Sequence, residues 1–143
     1  MRPTRWPVLA TIAAVAGIVV YVVTPRVYNT LPTLSIYAPI WMALLAAAEG
    51  YVAAFTRARL SGRPGTKPIL PMTVARLAAL AKASSVVGAL LGGGYAGFLA
   101  WVVQRSSQAA SHDTKTAAVA VAFSALLVAA ALFLEHVCRV RED

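Results

Sequence analysis

The chain has 143 residues, of which 59% are hydrophobic and 13% charged, with a mean hydropathy of +0.71 and a formal net charge of +8. Soluble domains carry about a quarter charged residues, so a water-soluble globule is excluded, and the same apolar excess excludes disorder. Cys138 is the single cysteine, which excludes a disulfide framework and leaves an integral membrane protein.

Four long stretches carry no charge. They span 20 residues between Arg5 and Arg26, 22 between Arg26 and Glu49, 22 between Lys82 and Arg105, and 19 between Lys115 and Glu135. A helix rising 1.5 Å per residue needs about 20 apolar residues to cross a bilayer core. Lipid offers the backbone no hydrogen-bond partners, so each crossing must be helical or part of a closed barrel. A barrel needs apolar/polar alternation, which is absent from runs such as Ala46–Tyr51 and Ala125–Leu134. The predicted class is all-α: one membrane domain, a bundle of four transmembrane helices.

The first helix is predicted over about 6–24. Arg2 and Arg5 before an apolar run resemble a signal peptide, but no small-x-small site follows, so the run reads as an uncleaved membrane helix. The second is predicted over 35–60, with Pro39 in its first turn and Gly62 past its end. The third, 72–104, is longer than a bilayer needs. The fourth, 114–138, takes Asp113 as its N-cap. A basic loop, 57–70, joins the second and third helices.

Positive charge sets orientation. Ten of the thirteen Lys and Arg residues fall on the side of the N-terminus, leaving Arg26, Arg105 and Lys115 on the other. Cytoplasmic loops carry the excess, so both termini are expected in the cytoplasm of a cell whose plasma membrane holds the protein. The +8 charge then faces anionic lipid heads rather than nucleic acid. Trp6, Trp41 and Trp101 fall near span ends, where interfacial anchors belong.

Helices in lipid associate through small residues that let backbones approach. Ser84, Gly88, Gly92 and Ala96 form one row on the third helix, and Ala89, Gly93 and Gly97 a second beside it. The third helix is expected to be central, with two neighbours. Ala13 and Gly17 are the small residues of the first span, and Ala118, Ala122, Ala125 and Ala129 those of the fourth. A glycine face lining a substrate path is the other reading of these rows.

Glu49 is the one acid well inside a span, roughly 15 Å from one end of its helix and 12 Å from the other. A charge at that depth costs at least about 2.5 kcal/mol, so it should face the bundle and be neutral or paired. Lys82 lies about 9 Å into the third helix, at a similar depth. A Glu49–Lys82 pair is expected, with Ser84 or Ser85 beside it. Such a pair either fixes helix packing or forms a proton- or cation-coupled site.

The loop cations Arg57, Arg59, Arg63 and Lys67 could hold an anionic lipid or an acidic protein segment, or could serve orientation alone. The phosphate-cradling Gly-x-x-x-x-Gly-Lys-Ser/Thr spacing is absent. His136 and Cys138 lack the further ligands a metal needs, and Glu135 should pair with Arg139 along the helix. His112 and Asp113 have no nucleophile in an evident constellation. No catalytic set, metal site or cofactor is expected.

The run Gly62-Arg63-Pro64-Gly65-Thr66-Lys67-Pro68, the segments Ala81-Lys82-Ala83-Ser84 and Gly94-Tyr95-Ala96-Gly97, and the tail from Leu134 to Val140 resemble a family of small actinobacterial membrane proteins, domain-of-unknown-function family 3180. The opening Met1-Arg2-Pro3-Thr4-Arg5 is similar too. The resemblance covers essentially the whole chain. It implies a four-helix inner-membrane protein without an assigned activity, often encoded near folate-biosynthesis genes, and it makes Arg63 and Lys82 part of the family pattern. Glu49 lies outside those motifs.

Two readings of function follow. In the first, a non-enzymatic binding or assembly subunit contacts a membrane partner or anionic lipid through its basic loop; it expects a closed bundle. In the second, a small transporter uses Glu49 in a water-accessible cavity. The small multidrug exporters are of similar size, but their acid lies in the first span, and those with dual topology need balanced loop charges. A lipid-modifying enzyme would need clustered acids or histidines that are missing. The oligomeric state is not set by the sequence.

Overall fold

A computed structural model describes residues 5–30, 34–60 and 71–139. They form α1 (Trp6–Val27), a single 3-10 turn (Tyr28–Thr30), α2 (Tyr37–Leu60), α3 (Pro71–Val102) and α4 (Gln108–Arg139). Each of the four α-helices is long and apolar enough to cross a membrane.

The helix starts follow from local chemistry. Proline occupies the first turn of α1 and opens α3, where a missing N–H costs nothing. The α4 start differs from expectation by about two turns. Ser107 accepts the Ala110 N–H at 3.1 Å and so caps the helix, which places Asp113 in the second turn rather than at the cap. At the end of α3 the chain tightens, with Gln104 N–H bonding Trp101 and Arg105 N–H bonding Val102 across three residues. At 32 residues each, α3 and α4 are about 48 Å long and exceed the hydrocarbon thickness.

Helix α1 packs on α3, α3 on α4, and α4 on α2. Contacts between Ala13 and Gly93 and between Gly17 and Gly97 make α1 and α3 parallel. Gly88 against Val128 and Gly92 against Ser124 make α3 and α4 antiparallel. The order across the molecule is therefore α1–α3–α4–α2. Helices α1 and α2 follow each other in the chain but do not pack together, so the expected closed bundle is corrected to an open arrangement with α1 and α2 at its edges. The physical reason is that the small residues which permit close approach lie on α3, and α3 has two such faces.

The α1–α3 contact is backbone on backbone. A methyl built on Gly93 would stand 2.6 Å from the Ala13 Cα, and one on Gly97 would stand 2.8 Å from the Gly17 Cα. On the other face a methyl at Gly88 would meet the Val128 side chain at 2.9 Å, and one at Gly92 the Ser124 Cβ at 3.0 Å. Gly94 is different: its methyl would find only Val20 Cγ2, at an ordinary 3.6 Å.

Gly93→Ala and Gly97→Ala should each lower the thermal unfolding midpoint in detergent, at an overpacking cost of about 1–3 kcal/mol. Gly94→Ala should hold the midpoint or raise it, since alanine is the better helix former by about 1 kcal/mol. Equal midpoints for all three variants would remove the backbone contact from the account.

Candidate functional site

Helix α2 buries one face made of Met42, Ala46, Glu49, Ala53 and Thr56, spaced four and three residues apart. Glu49 is 3% exposed. Toward one end, the Ser124 hydroxyl of α4 donates to the Ala120 carbonyl at 2.7 Å and touches Met42 Sδ at 3.4 Å. Toward the other, Ala53, Ala81, Leu134 and Cys138 from three helices form one apolar cluster. The Ser84 hydroxyl of α3 faces the carboxyl, yet among the described residues neither Glu49 Oε1 nor Oε2 has a hydrogen-bond partner.

The expected Glu49–Lys82 pair is not formed. Ala81, Ser84 and Ser85 are buried, whereas Lys82 is exposed. One residue on from Ala81 turns about 100° around the helix, which carries the ammonium to the outer side of α3. The two residues share a depth but not a direction. Ser85 Oγ donates to the Lys82 carbonyl at 2.9 Å, so that hydroxyl is committed to its own helix.

At the end of α2, Arg57 and Arg59 occupy the last turn. The Arg59 guanidinium lies 4.1 Å from the centroid of the Phe55 ring. Phe55 stacks in turn on Tyr51, with ring centroids 6.1 Å apart and 10° between planes. These three residues, four apart, form a ladder on one side of α2, with Tyr51 72% exposed. Arg63 and Lys67 lie outside the described residues.

The opposite end holds a polar knot built on Asp113, the acid expected to cap α4. Asp113, 4% exposed, accepts the Tyr28 hydroxyl at 3.0 Å and the Leu34 N–H at 3.1 Å. It thereby ties the α1–α2 connection to α4. Burial, then the bond and charge of Asp113, push the Tyr28 hydroxyl above the usual tyrosine range, opposed by the charge of Arg105. The Tyr28 ring packs on Trp101 at 4.9 Å and on Phe98 at 6.1 Å. The polar stretch around Asp113, from Gln104 to Thr116, carries no sequence signal that this acid is buried and bonded across the molecule.

Two cavities border this knot. One is an apolar groove of about 700 Å³ between α1 and α3; the other, of about 360 Å³, is lined by Pro25, Tyr28, Trp101, Arg105, Ser106 and Ser107. Neither includes Glu49. Among the described residues no group of three or more His, Cys, Asp or Glu side chains could hold a metal ion.

Lys82→Gln should leave the unfolding midpoint within about 0.5 kcal/mol of the parent, as for a surface change. Were Lys82 the partner of a buried Glu49, its loss would cost about 3–5 kcal/mol. Tyr28→Phe should cost about 1.5–3 kcal/mol through loss of a hydrogen bond to a charged acceptor. The same thermal measurement separates the three cases.

No curated protein and no solved structure matches the chain. One family profile does, over residues 9–142, and its description is "Protein of unknown function (DUF3180)". With nearly its whole length matched, the chain belongs to the DUF3180 family.

Proposed function

We propose that the protein is a non-enzymatic membrane subunit that recognises an anionic partner, a membrane-protein segment or a lipid head group, at the basic end of α2. The observation that carries this reading is the Tyr51–Phe55–Arg59 ladder. An aromatic stack with an arginine at its tip presents a pre-ordered cation at the level where the helix leaves the bilayer. Arg57 lies beside it in the same turn, and Arg63 and Lys67 follow within the next ten residues. The bias of ten cations to three supports a cytoplasmic position for this end in a plasma-membrane protein.

A second reading, a small proton- or cation-coupled transporter, draws on the Glu49 carboxyl, which has no hydrogen-bond partner among the described residues. It asks for a water path to a residue that is 3% exposed. The open arrangement departs from the closed bundle that the binding reading expected, but the ladder needs no such rearrangement, and for that reason the binding reading stands first.

A photo-crosslinking residue at Tyr51, followed by capture from native membranes, should recover one stoichiometric species. The double variant Arg57→Gln, Arg59→Gln should reduce that recovery at least about fivefold, since each cation near an anionic surface contributes about 1 kcal/mol. No stoichiometric species, together with proton-dependent flux in vesicles that Glu49→Gln abolishes, would overturn the binding reading in favour of transport.

A further inference from the structure

The two cavities at the α1–α3 edge open along one side of α3. Leu91, Gly94, Phe98 and Trp101 recur at intervals of three and four, and so lie on one helix face. Arg105 follows at the same interval, in the tightened turn beyond the helix. The apolar groove runs along this face, walled by Ile12, Ala16 and Val19 of α1 and by Leu91, Gly94 and Phe98 of α3. The polar cavity begins where the groove stops: Phe98 lines the first and Tyr28 the second, and the two rings are 6.1 Å apart.

Arg105 has the chemistry of a phosphate donor. Its guanidinium lies 4.5 Å from the centroid of the Trp101 ring. Stacking engages the face of the guanidinium and leaves its in-plane N–H groups free. The nearest buried acid, Asp113, is already satisfied by Tyr28 and Leu34, and no carboxylate among the described residues pairs with Arg105. Ser106 and Ser107 line the same cavity. An open apolar groove between membrane-spanning helices thus ends beside an uncommitted cation with hydroxyls, at the level where a helix leaves the bilayer.

We propose that this edge binds one anionic phospholipid, with its phosphate at Arg105, Ser106 and Ser107 and an acyl chain along the α1–α3 groove. The site is at the opposite end of the molecule from the basic end of α2 and does not depend on that reading. Gly94 has a specific part in it. Its methyl position is open apart from Val20, so the absence of a side chain keeps the groove deep rather than serving helix contact.

The test is native mass spectrometry of the purified full chain in mild detergent. Phosphatidylglycerol and phosphatidylcholine of identical acyl chains are supplied in competition. The parent should retain one phosphatidylglycerol in preference to phosphatidylcholine. Arg105→Gln should lose that preference by about fivefold, the worth of one cation near an anionic head group. Lys115→Gln, another cation of the same end but outside the cavity, should behave as the parent does. Gly94→Leu should reduce retention of both lipids by filling the groove; Ala16→Phe, on the opposite wall, carries this arm should the first variant fail to fold. Glycerol phosphate, which has the head group without the chains, should not displace the lipid. Unchanged preference in Arg105→Gln, unchanged retention in the groove-filled variant, or displacement by glycerol phosphate would each overturn the proposal.

Discussion

The structure depends on what α3 lacks. At Gly93 and Gly97 there is no room for even one carbon between its backbone and that of α1. At Gly88 and Gly92, about a quarter turn away, the side chains and backbone of α4 close in almost as tightly. In water such contacts would be secondary to burial of apolar area, but lipid tails are as apolar as leucine and compete for every such surface. Close approach of backbones is then what distinguishes a neighbouring helix from solvent. Helix α3 has two faces of this kind, and the order α1–α3–α4–α2 follows from that.

This explains why so much of the fold was legible and why its closure was not. The four long apolar helices were legible from low charge and length, since a bilayer crossing would require about 20 such residues each. The glycine rows mark α3 as the helix with two close neighbours, and those neighbours are α1 and α4. No comparable row marks which helix α2 should join. Its buried face mixes Met42, Ala46, Glu49, Ala53 and Thr56, a set with no single signature. Expecting α2 beside α3 was the natural consequence of pairing Glu49 with Lys82, and the actual neighbour, α4, offers it no charge at that depth.

Glu49 and Asp113 show the same limit at opposite ends. Depth along a helix can be counted from the sequence, but direction around it depends on which face finds a partner. Counting puts Glu49 and Lys82 at similar depth, but Lys82 lies about 100° around α3 from the buried Ala81, on the exposed side. For Asp113 the misleading feature was local: an acid before an apolar helix has the form of an N-cap. Ser107 takes that part instead, two turns earlier. The carboxylate is thereby released for a longer-range task, holding Tyr28 and the Leu34 N–H across about 80 residues of chain.

That release shapes the Arg105 edge. With α1 and α2 apart, the α1–α2 connection would have no reason to stay near the α3–α4 turn, were it not bonded to Asp113. The bond brings Tyr28 against Trp101 and Phe98, and Leu34 to the rim of the apolar groove. A carboxylate with two neutral donors and a guanidinium resting on an indole divide the charges between interior and edge. A direct ion pair would have left no cation for an outside ligand. The polar knot that fixes the connection thus lies beside an Arg105 that no described carboxylate pairs with, and the open edge of α1 supplies the apolar surface that an attached acyl chain requires.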